Sequence, residues 1–277
     1  MALAVSRAQT ISRPNEPNRL SPPLKWAGGK RWQIPYLKLY WERAHDRRLV
    51  EPFCGGLAVT LGLQPQHALL NDVNPHLINF YHWLKGGLSI SLEMSNSQPL
   101  FYAHRDRFNE LLRQRKHKTK EAASLFYYLN RTGYNGLCRF NSSGQFNVPF
   151  GRYNAIQYRT NFAEYKNLFQ TWSFANVSFD RLPLQPDDFV YADPPYDVEF
   201  REYSSGGFGW ADQMRTAEWL AEHPGPVVLS NQATDRILKL YSSLKYHVTF
   251  LKAPRRISCT GDRTPALEVL ATRNLAT

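Results

Sequence analysis

Four short apolar runs break off at small or polar residues, and this pattern narrows the folds open to the chain. Leu49-Val50-Glu51-Pro52-Phe53 runs into Gly55-Gly56, and Ala68-Leu69-Leu70 into Asn71-Asp72. Phe189-Val190-Tyr191-Ala192 runs into Asp193, and Pro226 to Leu229 into Ser230-Asn231. Short apolar runs bounded by turn residues read as buried strands that stop at a turn. Helix-like stretches lie between them, Asn74 to Leu84 and Ala211 to Ala221. Such alternation implies an α/β domain with a mostly parallel sheet. His247 to Leu251 and Leu267 to Ala271 read as two more strands, an antiparallel hairpin on the sheet edge. The loop between them carries Arg255-Arg256 and Gly261. Ligands of open α/β sheets bind beyond the carboxyl ends of the strands, which is where Gly55, Asp72 and Asp193 fall.

The stretch 75–160 has another character. A basic run, Arg113 to Lys120, precedes a helix-like Ala122 to Leu129, and an aromatic segment rich in Gly and Asn follows from Asn130 to Tyr153. It reads as an inserted, mainly helical domain with a long loop or hairpin, leaving 23–74 and 161–277 for the sheet domain. Charge is uneven along the chain. Residues 1–160 hold 22 Lys and Arg against 9 Asp and Glu, while residues 161–277 hold 12 against 14. A basic surface suits a polyanion, most simply nucleic acid.

Other classes drop out. No apolar run approaches the roughly 18 residues of a membrane span. Cys54, Cys138 and Cys259 are odd in number, far apart and outside any C-x-x-C pattern, which argues against a disulfide framework or a zinc site and for a reducing, cytoplasmic setting. Residues 1–22 are rich in Arg, Ser, Asn and Pro and read as a disordered arm. Gly28-Gly29-Lys30 lacks the G-x-x-x-x-G-K-[ST] spacing of a phosphate loop, and Arg31 follows the lysine, so an NTPase is rejected.

The chemistry centres on Asp193-Pro194-Pro195-Tyr196. Two prolines stiffen the turn and remove two donors, and their carbonyls are expected to stay free to accept. The Asp193 carboxylate adds an acceptor, and Tyr196 a flat stacking face. A planar heterocycle with an exocyclic amine suits such a pocket, although the tetrapeptide by itself does not separate adenine, cytosine and glutamine. Glycine at 55 and 56 lets backbone approach a ligand closely. Asp72, downstream at the next strand end, has the placing of an acid that binds ribose hydroxyls. In the Asn130–Tyr153 segment, Arg, Asn and aromatic residues interleave with glycine. Arg can bridge guanine O6/N7 and Asn adenine N6/N7, while aromatics can wedge where a base leaves the helix.

Together these segments resemble the Dam-type (D12 class, alpha group) DNA adenine-N6 methyltransferases over about 23–274: W-x-G-G-K first, then a strand with F-x-G, a target-recognition domain, and the D-P-P-Y strand last. The resemblance implies a Rossmann-like S-adenosylmethionine-dependent methyltransferase sheet and, residue by residue, a site. Trp26, Lys30, Phe53, Gly55, Asp72, Ser178, Phe179 and Asp193 would bind S-adenosyl-L-methionine, with S-adenosyl-L-homocysteine as product. Asp193, Pro194 and Tyr196 would form the catalytic pocket. Lys25, Leu137, Arg139, Pro149 and Tyr153 would touch the target bases, and Tyr134 and Asn135 would insert beside a flipped base.

The implied reaction is methylation of adenine N6 in double-stranded DNA, with GATC as target, by base flipping and direct in-line transfer. No metal and no obligatory protein partner are expected, and a restriction-modification role is left open. Two departures stand out. The family usually carries a second glycine where this chain has Leu57, and the segment Asp197 to Trp210 has an acidic start. The rival readings are a methyltransferase of protein glutamine or RNA, whose pocket normally begins with Asn, and a catalytically silent DNA-binding module.

Overall fold

The computed structural model describes residues 20–197, 207–254 and 266–275. Arg255, Arg256, Cys259, Gly261, most of the N-terminal arm and most of the segment after Asp197 lie outside them. Among the described residues a seven-stranded sheet runs β3-β2-β1-β4-β5-β7-β6. Its centre is made of the apolar runs: β1 (Leu49–Glu51), β2 (Ala68–Asn71) and β4 (Phe189–Ala192) are buried at every position. Strands covered on both faces need no polar alternation. They pair in parallel, as β1 and β4 do through Leu49↔Phe189 and Val50↔Val190. β3 (Trp172–Ala175) flanks β2 and β5 (Val227–Gln232) flanks β4, both also parallel.

The expected edge hairpin is present and longer than the apolar runs: β6 (His247–Ala253) and β7 (Ala266–Arg273) are antiparallel, and β7 pairs antiparallel with β5. β5 corrects one expectation. It does not stop at Ser230-Asn231 but continues through them, because they pair with Leu270 and Val269 of β7.

Helices cover both faces. α1 (Ile34–Trp41), α2 (Ala58–Leu63) and α3 (Pro75–Lys85) follow the first turns, and α6 (Ala163–Leu168) leads into β3. α7 (Trp210–Ala221) and α8 (Asp235–Ser243) flank β5. Asn74 caps α3, its side chain accepting from the amides of His76 and Leu77, with Pro75 at the first helical position. The stretch 98–132 is helical: α4 (Gln98–Arg113) and α5 (Lys120–Thr132) pack together, and α5 packs on α3. The basic run Arg113–Lys120 is mostly the connection between them. The segment to Tyr153 folds back on itself through isolated antiparallel bridges, Gly133↔Phe150 and Phe140↔Phe146. One apolar cluster joins both regions, with Leu49 and Leu70 of the sheet in the same core as Phe101, Phe108 and Phe126.

The chain passes from β1 outward to β2 and β3, then returns to β4 on the other side of β1. That reversal opens a crevice at the carboxyl ends of β1 and β4, the place where such sheets bind ligands.

Candidate active site

A cavity of about 810 Å³ occupies that crevice. The turn after β1 forms one wall. Gly55 has φ +43°, and a β-carbon there would sit 2.8 Å from Trp26 Nε1; one on Gly56 would sit 2.8 Å from Trp26 Cβ. Glycine is therefore required for the Trp26 ring to lie against the loop. Leu57 takes φ 62° just before α2, the left-handed conformation in which a glycine costs least. The loop thus keeps a path suited to a second glycine without having one.

Asp72 follows β2. Its Oδ2 accepts from the Gly55 amide at 3.2 Å and its Oδ1 from the Asn74 amide at 2.9 Å, so the acid ties the glycine turn to the start of α3. Burial pushes its carboxyl up, and the two amide hydrogen bonds pull it back. Tyr81 of α3 donates to the Gly55 carbonyl at 2.5 Å. Ser178 and Phe179 border the same cavity, and Phe53, Phe179 and Phe208 form an aromatic corner with centroids 5.3–6.2 Å apart. The Arg215 guanidinium lies 4.9 Å from the centre of the Phe179 ring, and Arg215 borders the same cavity.

Asp193-Pro194-Pro195-Tyr196 lines the opposite part of the cavity. Lys30 Nζ is buried, 3.4 Å from Asp193 Oδ1 and 4.1 Å from the centre of the Tyr196 ring, and it donates to the Gly28 carbonyl. The Lys30–Asp193 contact is an ion pair without hydrogen-bond alignment: Asp193 Oδ1 is buried and has no hydrogen-bond partner. Buried polar atoms are almost always paired, and Asp193 lines a ligand-sized cavity, so its carboxylate keeps hydrogen-bonding capacity for a donor supplied by a ligand. Burial raises the Asp193 carboxyl to about 6, with Lys30 pulling it down and Glu268 pushing it up. One expectation is corrected: the Pro195 carbonyl is not free, because Gln213 of α7 donates to it at 2.7 Å.

Several residues with no motif of their own complete the site. Glu51, at the end of β1, is fully buried, accepts from the Thr60 hydroxyl, and has its carboxyl raised to about 8, chiefly by burial. Behind Tyr196 lies a closed network of Gln33, Tyr191, Ser230 and Glu268. Ser230-Asn231 stood out in the sequence as a polar break in an apolar run, but Gln33 and Glu268 gave no such signal. Cys138 also borders the cavity, its Sγ accepting from Asn74 Nδ2 at 3.3 Å.

The other residues expected to function gather apart from the crevice, with Lys25 next to Trp26 in sequence. Lys25 exchanges two backbone–side-chain hydrogen bonds with Asn130 and sets its ammonium 3.8 Å over the Tyr153 ring. Tyr153 donates to the Gly133 carbonyl, and the Tyr134 amide donates to Pro149 O. Tyr134 and Asn135 are exposed at the tip of this turn, Asn135 with φ 51°. Leu137 is half-buried and Arg139 exposed, its fork held by the side-chain and backbone oxygens of Asn147.

Residues 26–253 match the family model of D12 class N6 adenine-specific DNA methyltransferase. The chain belongs to this family. It is 35% identical over 269 residues to the retron Ec67 DNA adenine methylase of Escherichia coli, covering 91% of each chain. It is 34% identical over 266 residues to the DNA adenine methylase of Vibrio cholerae, covering 90% of this chain and 94% of that one. Identity to the DNA adenine methylase of Escherichia coli K12 is 33% over 257 residues, 86% of this chain and 89% of the relative. The protein is an adenine-specific DNA methyltransferase, DNA is its substrate, and S-adenosyl-L-methionine is its methyl donor. Among the described residues no helix is long and apolar enough to cross a membrane.

Proposed function

We propose that this methyltransferase modifies adenine N6 within GATC in double-stranded DNA, by flipping the base into the Asp193–Tyr196 pocket and transferring the methyl group directly. The observation that carries the pocket assignment is the buried Asp193 Oδ1 with no hydrogen-bond donor of its own. The Asp193 carboxylate and the Pro194 carbonyl accept from the two N6 hydrogens, and Tyr196 stacks on the ring. With its hydrogens so held, N6 directs its lone pair away from both acceptors. Positioning and electrostatics supply most of the rate enhancement. Flipping costs a few kcal/mol of unstacking and unpairing.

S-adenosyl-L-methionine supplies an electrophilic methyl group on its sulfonium. Trp26, Phe53 and Gly55 would hold it on the glycine turn, Asp72 would accept from its ribose hydroxyls, and Ser178 and Phe179 would border its adenine. Asp193 and Lys30 stand where the two ligands meet. The orphan acceptor and the glycine turn fit this pair of ligands.

Residues 75–160 act as the target-recognition domain. Phosphates are held by its basic surface, and sequence is read in the major groove by Lys25, Leu137, Arg139, Pro149 and Tyr153, while Tyr134 and Asn135 fill the space the flipped base leaves. GATC rests on the likeness of these positions to the family, and the protein acts on bacterial or phage DNA in the cytoplasm. Turnover of Asp193→Ala, measured with labelled methyl donor, is expected to fall by orders of magnitude; an unchanged rate overturns the pocket. Sequencing of DNA methylated by the purified protein tests GATC directly. Arg139→Ala should cost roughly 1–3 kcal/mol and relax specificity at one position; equal weakening on every sequence would make Arg139 a phosphate contact.

A further inference from the structure

We infer that Glu268, in the antiparallel strand β7, is a positioning residue for the transfer: it anchors the Tyr196 ring by its hydroxyl and shares the charge of Lys30, so that the Asp193 carboxylate stays available to the substrate amine. This rests on the pocket assigned above.

The hydrogen bonds behind Tyr196 allow one consistent allocation of protons. The Tyr196 hydroxyl donates to Glu268 Oε2 at 2.6 Å. Gln33 Nε2 donates to the same Oε2 at 3.0 Å and, with its second hydrogen, to Ser230 Oγ at 3.0 Å. Ser230 is then left to donate to the Tyr196 oxygen at 2.8 Å, and Tyr191 donates to Gln33 Oε1 at 2.9 Å. In this allocation every donor has an acceptor and Glu268 Oε2 receives two hydrogens, as a carboxylate oxygen can. The group is buried on β7, between exposed Leu267 and buried Val269. Burying a carboxylate is costly unless it is paired and hydrogen-bonded, and here the pairing runs to the pocket.

Lys30 Nζ lies between two carboxylates, 3.4 Å from Asp193 and 4.0 Å from Glu268. A lone Lys30–Asp193 pair would draw the ammonium into the position that the substrate amine must take. The second carboxylate holds it back, over the Tyr196 ring. Gln33, the last residue of the short helical turn Arg31–Gln33 that Lys30 precedes, ties this arrangement to the Lys30 segment.

The test is kinetic, on the full chain with a duplex that the wild type methylates. In Glu268→Gln an amide oxygen can still accept from Tyr196 and Gln33, while the charge is gone. The kcat is expected to fall roughly 10- to 100-fold, the scale of one charge-assisted hydrogen bond, with the KM for DNA within about twofold. The acid limb of the kcat–pH profile is expected to move to lower pH, because Glu268 raises the Asp193 carboxyl. The other groups facing Asp193, namely Lys30, Glu51, Tyr191, Tyr196 and Tyr241, are unchanged in this variant. Wild-type kcat and an unmoved limb would overturn the inference, whereas full activity of Asp193→Ala would overturn the pocket itself. Tyr196→Phe removes the same anchor from the other side and serves if Glu268→Gln fails to bind S-adenosyl-L-methionine by calorimetry. Its kcat should then drop with little change in DNA KM, and an undiminished kcat overturns the anchor. When both variants fold, their effects should be less than additive in the double variant; full additivity counts against the inference.

Discussion

Leu57 shows how one residue can break a local rule and still be retained. Its φ of 62° costs a non-glycine residue about 1 kcal/mol or somewhat more. Its side chain is fully buried in the main core, and truncating such a leucine costs about 3–5 kcal/mol. Burial wins, so Leu57→Gly should lower the free energy of unfolding by about 2 kcal/mol or more despite the relaxed backbone; chemical denaturation that finds equal or greater stability would refute this weighing. Glu51 carries a second residue-scale prediction. Its folded-state pKa of about 8 lies above the unfolded value near 4.5. The folded protein therefore holds this proton more tightly, and Glu51's contribution to stability is lost as pH rises through about 8. That contribution is fully present below about pH 4.5, so the unliganded protein should lose stability progressively between about pH 5 and pH 8, with no further loss from this group above that. In Glu51→Gln, whose amide still accepts from Thr60, that slope should flatten. Denaturation midpoints taken across this range decide it, and identical slopes would place the titrating group elsewhere.

At the scale of elements, the sequence was most legible where one strand is buried on both faces. β1, β2 and β4 are unbroken apolar runs, and the acid or glycine that ends each one is where the crevice lies. β3 escaped notice because only Trp172 of its four residues is buried, as fits an edge strand. α4 escaped because Phe101, Phe108, Asn109 and Leu111 make a narrow buried stripe among Arg, Asp and Glu. Glu268 could not be read at all, since its burial is set by β5 and β6, which pair on either side of it. Contacts between elements also explain one glycine. Gly136 has φ +63°, and a β-carbon there would sit 2.4 Å from Lys25 Cβ. Gly136→Ala should therefore push the Lys25 segment off Asn130 and Tyr153. The expected result is weaker binding of duplex DNA, while S-adenosyl-L-methionine affinity in calorimetry stays close to wild type. Equal losses of both would mean that the turn supports the whole crevice rather than the DNA-facing side.

Charge is unevenly spread over the whole molecule. Excess positive charge belongs to residues 1–160, and the remainder is slightly acidic. From the last residue of α4 to the first of α5, Arg113, Arg115, Lys116, Lys118 and Lys120 are all exposed. Arg107 and Arg159, by contrast, are engaged by Glu121 and Glu164. The groups proposed to face the cofactor are buried and paired at short range: Asp72 with backbone amides and Asp193 beside Lys30. Salt screens exposed charges over about 8–10 Å and reaches buried pairs far less. DNA binding and cofactor binding should therefore respond differently to ionic strength. If five phosphates are neutralised, log K for DNA should fall with log salt at a slope of about −4 or steeper, while the affinity for S-adenosyl-L-methionine changes little over the same range. Charge reversal in the connection, Lys116→Glu with Lys118→Glu, should make that slope shallower and weaken binding to all sequences alike, leaving site preference intact. A slope unchanged by the reversal would take the connection out of the DNA-facing surface, and the basic balance of this half would then serve solubility alone.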